Sequence, residues 1–90
     1  MKNFEINNYN PRIVHFQHSP NGGLCFTVHR HIDYPGTWLL TCATICDKKD
    51  LQTDDFDTAV SNATIFLDRI LRKRLSYYDS LIDDLEVSHE

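Results

Sequence analysis

Three histidines in the first third of the chain are the side chains best placed to bind a metal. His29 and His31 are two residues apart, so on a strand they would project from one face, with His15 on the preceding strand across from them. A His-x-His pair with a third histidine can bind zinc. No Asp or Glu has matching ligand spacing, and histidines on the solvated face of a strand are usually ordinary surface residues. We therefore expect no metal and no cofactor, and keep His15, His29 and His31 as a weak candidate set.

Cysteine is the other residue type in this chain that could act as a nucleophile or bind a metal. Cys25 could form a Cys–His nucleophilic pair with His29 on its own predicted strand face, or with His15 on the preceding strand. No third group to orient the histidine and no oxyanion hole can be recognised. Cys42 and Cys46, predicted on one face of one strand, lack the loop spacing of a zinc knuckle or a redox pair. An odd number of cysteines in apolar segments indicates reduced, packed thiols in the cytoplasm, and we predict no enzyme activity.

The elements that would position these residues are short strands. Alternation of apolar and polar residues predicts strands at 12–18, 24–32 and 37–46, which together make a β-meander over residues 12–46. Residues 1–10 are polar and form either a flexible segment or an edge strand.

Two turns separate the three predicted strands. Ser19–Gly23 reads as a hairpin loop, and Tyr34–Thr37 fits a type II turn with Pro35 second and Gly36 third. Asp47–Asp50 reads as a polar loop after the last strand. That strand is apolar on both faces, so one set of large side chains would look outward beside the histidines: Trp38, Leu40 and Cys42, or Leu39, Ala43 and Ile45.

Residues 54–86 have the 3.6-residue period of a long helix. Thr53, Asp54 and Asp55 offer N-cap oxygens, and neither Gly nor Pro occurs after Gly36. The order of elements predicts a single α+β domain over residues 1–90. Its antiparallel sheet has three strands, or four if the N-terminal segment joins it, in βββα order, and a long or broken C-terminal helix covers one face. The apolar helix face comprises Phe56, Ala59, Val60, Ala63, Phe66, Leu67, Ile70 and Leu71, continued by Tyr77, Tyr78, Leu81, Ile82 and Leu85.

Two properties of the predicted helix do not fit a straight helix that lies wholly on the sheet. Arg74 falls at the centre of the apolar face. A helix of about 32 residues would extend about 48 Å, against about 27 Å for an eight-residue strand. Either the helix breaks near Arg72–Ser76 or its end projects, and we favour the break.

Composition and charge narrow the functional classes. The chain has 90 residues and a net charge of −4, with no apolar run long enough for a membrane span and no signal-peptide pattern. A cytoplasmic protein is expected. Because phosphate contacts dominate general nucleic-acid affinity, an acidic chain of this size is better suited to a basic protein partner.

The charged residues are concentrated in the C-terminal third. Arg69 and Arg72 lie opposite the core face of the helix, which leaves a local nucleic-acid contact open. Four acids lie near the end of the predicted helix, where the helix dipole disfavours negative charge: Asp79, Asp83, Asp84 and Glu86. They form either a solvated, frayed helix end or a surface that binds Arg and Lys residues of a partner. Leucines and aromatics with near-heptad spacing also make a helix-mediated homodimer an open alternative, from Leu67 to Leu85.

In its size, acidity, strand–strand–strand–helix order and lack of catalytic motifs, the chain resembles the small phage-encoded inhibitors of the anti-CRISPR type. Such proteins bind CRISPR effector subunits and block engagement of target DNA. The resemblance implies a non-catalytic inhibitor in the host cytoplasm that occludes a host protein or ribonucleoprotein complex by bulk or by charge mimicry. The implied contact residues are Tyr34 and Trp38 near the second turn, Asp79, Asp83, Asp84 and Glu86 at the helix end, and Arg69 and Arg72.

An alternative comes from the start of the helix. The sequence Asp55-Phe56-Asp57-Thr58-Ala59, following three strands, is similar to the partial RNase H-like half of HicB-type antitoxins, which neutralise an mRNA-cleaving toxin. Two features depart from that pattern: the usual Gly-rich, Pro-containing region is reduced to Tyr34-Pro35-Gly36, and no C-terminal DNA-binding segment is recognised.

Overall fold

The computed structural model of the chain describes residues 1–18 and 23–85. Its elements are β1 (Phe4–Asn10), β2 (Ile13–His18), β3 (Cys25–His29), β4 (Leu39–Cys42), β5 (Cys46–Asp50) and α1 (Phe56–Leu85). The strands form one antiparallel sheet in the order β1-β2-β3-β4-β5. The α+β class and the C-terminal helix are confirmed, whereas the predicted strand number is too low. Most of the predicted Ser19–Gly23 loop, and Glu86, lie outside the described residues.

The missing strand lies where the sequence predicted one long strand followed by a loop. The chain instead reverses after Cys42, with the Ile45 amide donating to the Cys42 carbonyl at 3.0 Å, and β5 then pairs with β4. Thr44 takes a φ of 68° at this reversal, a conformation that usually marks Gly or Asn. Lys48 also has positive φ, and its amide donates to Thr41 Oγ1 at 3.1 Å beside an irregularity in the pairing. A turn without Gly or Pro gives no compositional signal.

The inner face of the sheet and one side of α1 make the core. Val28 pairs with Val14 on β2 and Leu40 on β4, and Phe16 stacks on Phe26 with ring centroids 4.9 Å apart. On the helix, fully or nearly fully buried residues face this layer: Ala59, Ala63 and Leu67. Two alanines in this row allow the helix backbone to approach the sheet closely. Leu39, on the other face of β4, is also buried.

The start of α1 is fixed by several polar contacts. Asp55 is the N-cap, its carboxylate accepting from the Thr58 amide at 2.9 Å and the Thr58 hydroxyl at 2.7 Å. Arg30 forms an ion pair with Asp54 and lies over the Trp38 ring, 4.3 Å from its centroid. These contacts hold the β3–β4 connection against the first turn of the helix.

The predicted break near Arg72–Ser76 is wrong, because α1 is continuous from Phe56 to Leu85. The excess length projects instead, and the molecule measures 55 × 26 × 18 Å. Arg74 does not enter the core; its guanidinium donates to the Thr44 carbonyl at 2.8 Å, at the β4–β5 turn. The Arg74 guanidinium, on the sheet-facing side of α1, therefore has a hydrogen-bond acceptor in the backbone, and its charge is accommodated without a break in the helix.

Among the described helices, none combines the length and the apolar character that crossing a bilayer would require.

We expect Arg74→Ala to lower the free energy of unfolding by about 1 kcal/mol, because it removes a charge-assisted hydrogen bond and leaves the Thr44 carbonyl to water. Lys73→Ala, which removes the same charge one residue away on the exposed side, should change it by less than about 0.5 kcal/mol. Chemical denaturation measures both. Equal effects of the two substitutions would show that Arg74 acts only as a surface charge.

Asp55 should make stability depend on acid. Hydrogen bonds from the Thr58 hydroxyl and amide lower the pKa of Asp55 below its ordinary value. Its stabilising contribution is therefore complete above the ordinary aspartate pKa of about 4 and is lost as pH falls through the lower folded-state pKa. Asp55→Ala should lower the melting temperature at pH 7 more than Asp57→Ala does, and the difference should shrink at pH 2–3. A difference that is constant with pH would contradict the cap.

Candidate partner-binding surface

On the outer face of the sheet, two of the three candidate histidines are hydrogen-bonded to threonines of neighbouring strands. His15 Nδ1 is hydrogen-bonded to Thr27 Oγ1 at 3.0 Å, and His29 Nε2 to Thr41 Oγ1 at 2.8 Å. Each pair spans two neighbouring strands, so the imidazoles join β2 to β3 and β3 to β4. His31 lies beyond the end of β3, where its Nδ1 accepts from the Asp33 amide at 3.1 Å.

These positions do not make a metal site. His15 and His29 face different threonines, and His31 belongs to the β3–β4 connection. Within the described ranges, no three His, Cys, Asp or Glu side chains converge closely enough to hold a metal ion. The weak candidate set of three histidines is therefore not brought together.

The thiols are arranged differently from the prediction. Cys42 and Cys46 are cross-strand partners in the β4–β5 hairpin rather than residues of one strand. The buried Cys42 thiol donates to the Cys25 carbonyl at 3.4 Å, and Cys46 to the Leu40 carbonyl at 3.6 Å. Burial raises the pKa of both Cys42 and Cys46, which favours the protonated, less nucleophilic form.

Cys25, the third cysteine, has an exposed side chain. It pairs in register with Gln17, while the histidines on its face bond to threonines. Among the described residues, the structure gives no hydrogen bond between Cys25 and the histidines considered as its partners.

Tyr34 and Trp38 do not form one exposed patch. Tyr34 is exposed and contacts the His31 ring, and Gly36 has the φ of 78° that the third position of a type II turn requires. Trp38 is only 7% exposed, packs on Phe56 with ring centroids 5.1 Å apart, and donates from Nε1 to the Asp54 carbonyl at 2.9 Å. Trp38 is a core residue at the start of α1, with little surface left for a partner.

The part of α1 that leaves the sheet is the most exposed apolar surface of the described chain. We define the distal half of α1 as Leu71–Leu85. Apart from the half-buried Arg74, every residue in it is exposed. Seven of these are large apolar or aromatic residues, between 39% and 62% exposed: Leu71, Leu75, Tyr77, Tyr78, Leu81, Ile82 and Leu85. An unpartnered apolar surface of this extent on a small domain commonly marks an interaction site.

The basic residues around the start of the distal half are partly engaged within the chain. Arg72 forms an ion pair with Asp68 at 2.9 Å, which raises its pKa, and Arg74 is held by the Thr44 carbonyl. Arg69 lines a hollow of about 380 Å³ between α1 and β5, together with Lys49. Arg69 and Arg72 therefore lie on the same exposed side of the helix, where Arg72 is paired with Asp68 and Arg69 borders the hollow with Lys49.

The acids of the distal half are exposed and, in residues 1–18 and 23–85, none of them forms an ion pair: Asp79, Asp83 and Asp84. They are 23 to 28 residues from Phe56 along a continuous helix, which is about 35–42 Å from the Trp38 end. The predicted contact residues thus divide into two separate regions. The distal half carries the acids, and Tyr34 lies near the opposite end of the molecule.

Sequence reasoning missed one feature next to the distal half. A hollow of about 190 Å³ lies where Leu71 meets the end of the sheet. It brings together residues that are far apart in sequence, so no local pattern indicates it. Its lining is mainly apolar: Met1, Phe4, Leu24, Phe26, Thr64, Leu67, Asp68 and Leu71.

The thiol environments predict unequal reactivity. In the native protein at pH 8, a disulfide reagent such as DTNB should modify Cys25 rapidly, and Cys42 and Cys46 slowly, because burial keeps those two protonated and shielded. Cys25→Ser should remove the fast phase. Three equal rates in the folded protein would contradict the described packing.

Comparison with known proteins adds no relative to these observations. No family model, no curated protein sequence and no solved structure matches the chain.

Proposed function

We propose that this protein is a non-catalytic, protein-binding inhibitor of the phage-encoded anti-CRISPR type, which uses the distal half of α1 to occupy a nucleic-acid-binding surface of a host complex. One observation carries the proposal: a continuous helix extends beyond its sheet and exposes apolar and acidic side chains together. A helix laid along the groove of another protein is a recurrent mode of recognition.

The acids give this surface its preferred partner. Asp79 and Asp83 are four residues apart and lie on one side of the helix, with Asp84 on another side. Negative charge near a helix C-terminus is disfavoured by the dipole of that helix, so these side chains lower the stability of the free protein. A partner that supplies Arg or Lys would relieve this cost, and proteins that bind nucleic acid present such residues in rows.

The apolar residues supply what charge alone does not. Electrostatic complementarity mainly accelerates association and selects the partner, whereas buried leucine and aromatic side chains contribute most of the affinity. The distal half offers both kinds of group on one rigid element. Since α1 is already folded, binding does not have to pay for helix formation.

The decisive test is protection against interference. We expect expression of the chain in bacteria with an active CRISPR system to restore growth of a targeted phage in at least one system of a panel. In that system, the purified effector should bind the protein and lose binding of its target DNA. The triple substitution D79N/D83N/D84N should weaken binding to the effector about 10- to 100-fold.

A charge-matched variant is the control. D33N/D47N/D57N removes three exposed acids elsewhere and should leave binding to the effector near that of the unsubstituted protein. Protection by none of the systems, combined with rescue of growth from a co-expressed RNA-cleaving toxin, would replace the inhibitor with the antitoxin alternative. If both triple variants lost the same amount of affinity for the effector, the acids of the distal half would have no specific part in the proposed mechanism.

A further inference from the structure

A regular stripe runs along the distal half of α1. Leu71, Leu75, Tyr78, Ile82 and Leu85 follow one another at intervals of four, three, four and three residues. At 100° per residue they lie within a sector of about 80°, and this spacing is the a/d pattern of a two-stranded coiled coil. Their side chains are 41%, 61%, 54%, 61% and 62% exposed. The stripe therefore has the geometry of a helix–helix seam and is left largely uncovered by residues 1–18 and 23–85.

The stripe does not simply continue the side of α1 that covers the sheet. Ala59, Ala63 and Leu67, which are buried against the sheet, are centred about 80° away around the helix axis. A second helix lying on the stripe can therefore run alongside the sheet rather than into it. Because the proximal part of α1 is anchored, the seam is formed before any partner arrives.

The charge distribution along α1 favours a second copy of this chain as the partner helix, in the antiparallel orientation. Residues 69–74 contain four cations and no acid, and residues 75–85 contain three acids and no cation. Two parallel copies would place cations beside cations and acids beside acids. Two antiparallel copies place each basic segment beside the acidic segment of the other, and they also oppose the two helix dipoles. We propose that a second copy of this chain covers the stripe, forming an antiparallel homodimer through the distal halves of α1.

One register satisfies the seam and the charges together. When Leu75 meets Tyr78 of the second copy, Leu71 meets Ile82, and the two-fold axis lies between the Leu75–Tyr78 layer and its symmetry-related counterpart. Arg72 and Asp79 both flank the stripe on the same side, so each Arg72 then lies opposite the Asp79 of the other copy. Arg72 already pairs with Asp68, and in the dimer its guanidinium lies between two carboxylates.

The hollow beside Leu71 supports the same register. It is lined by Phe4, Leu24, Phe26 and Leu67 in addition to Leu71, and has a volume of about 190 Å³. In the antiparallel register, Leu85 of the second copy reaches the level of Asp68, at the mouth of this hollow. An apolar recess thus lies where the last described apolar residue of the other helix arrives.

The dimer does not rest on the proposed inhibitor role, although it buries apolar residues that the inhibitor proposal also uses. It leaves Tyr77, Leu81, Asp83 and Asp84 outside the seam, so a partner protein would meet these side chains on two copies instead of one. The oligomeric state is measured on the purified chain alone. A failure of the dimer and a failure of CRISPR inhibition are therefore separate results.

Sedimentation equilibrium of the full chain over 1 μM to 1 mM tests association. With a seam of about two heptads, we expect a dimer with a dissociation constant on the order of 10 μM. Leu75→Glu should raise that constant at least about 100-fold, whereas Ser80→Glu, on the opposite side of the helix, should change it less than about three-fold. Circular dichroism confirms that each variant is folded. A chain that stays monomeric up to 1 mM, or a dimer indifferent to Leu75→Glu, overturns the proposal.

Charge reversal tests the register. Arg72→Asp should weaken the dimer about 10-fold, because two interchain pairs become repulsive, and the matched reversal Lys73→Asp on the exposed side should have little effect. Adding Asp79→Arg to Arg72→Asp in the same chain should restore most of the lost affinity. Equal effects of the two single reversals, or no restoration, overturn the antiparallel register.

Cysteine trapping tests the direction. A chain with Leu71→Cys mixed with a chain with Ile82→Cys should form a disulfide-linked pair under mild oxidation. Leu71→Cys alone should not, since the two positions are about 16 Å apart in the antiparallel register and a disulfide needs Cα atoms within about 7 Å. Native thiols are present in every sample, so cross-linking above that of the unsubstituted chain is the readout. Efficient self-linking of Leu71→Cys would indicate a parallel pair and overturn the proposal.

Discussion

A helix of 30 residues has to lie on strands of four to seven residues, and this mismatch of length determines the shape of the molecule. The sheet can bury about half of the helix, as shown by the row Ala59, Ala63 and Leu67. The remainder either bends back or leaves the domain. In this protein the helix is continuous, Arg74 contacts the β4–β5 turn at the boundary, and the distal half extends into solvent.

The two faces of the sheet are stabilised by different interactions. The inner face is apolar and is sealed by α1, while the outer face joins its strands with imidazole–hydroxyl bonds such as His29 to Thr41. Reactive residue types are thereby used for cohesion: histidines cross-link strands, and Cys42 and Cys46 occupy the tight space between β4 and β5. The surface that remains without a structural task is the distal half of α1.

Local sequence rules were sufficient for the helix, for an N-cap among Thr53, Asp54 and Asp55, for the strands β2 and β3, and for the turn at Gly36. They failed at the β4–β5 hairpin, where Thr44 adopts a backbone conformation that its residue type does not announce. They also left open whether Trp38 or Leu39 faces outward, since a strand that is apolar on both faces does not reveal which face is covered, and both are buried. The place of Arg74, whose guanidinium contacts the Thr44 carbonyl 30 residues away, was likewise not indicated by any local pattern.

The strictly sequential order of the five strands has a consequence for synthesis. Every strand pairs with its neighbour in the chain, so the sheet is assembled from local hairpins and its contact order is low. The element that covers Val28, Leu40 and Phe26 is synthesised after all five strands. While α1 is being made, the sheet has its apolar face open to the cell, and this nascent intermediate exposes hydrophobic surface that promotes aggregation and that a chaperone can bind.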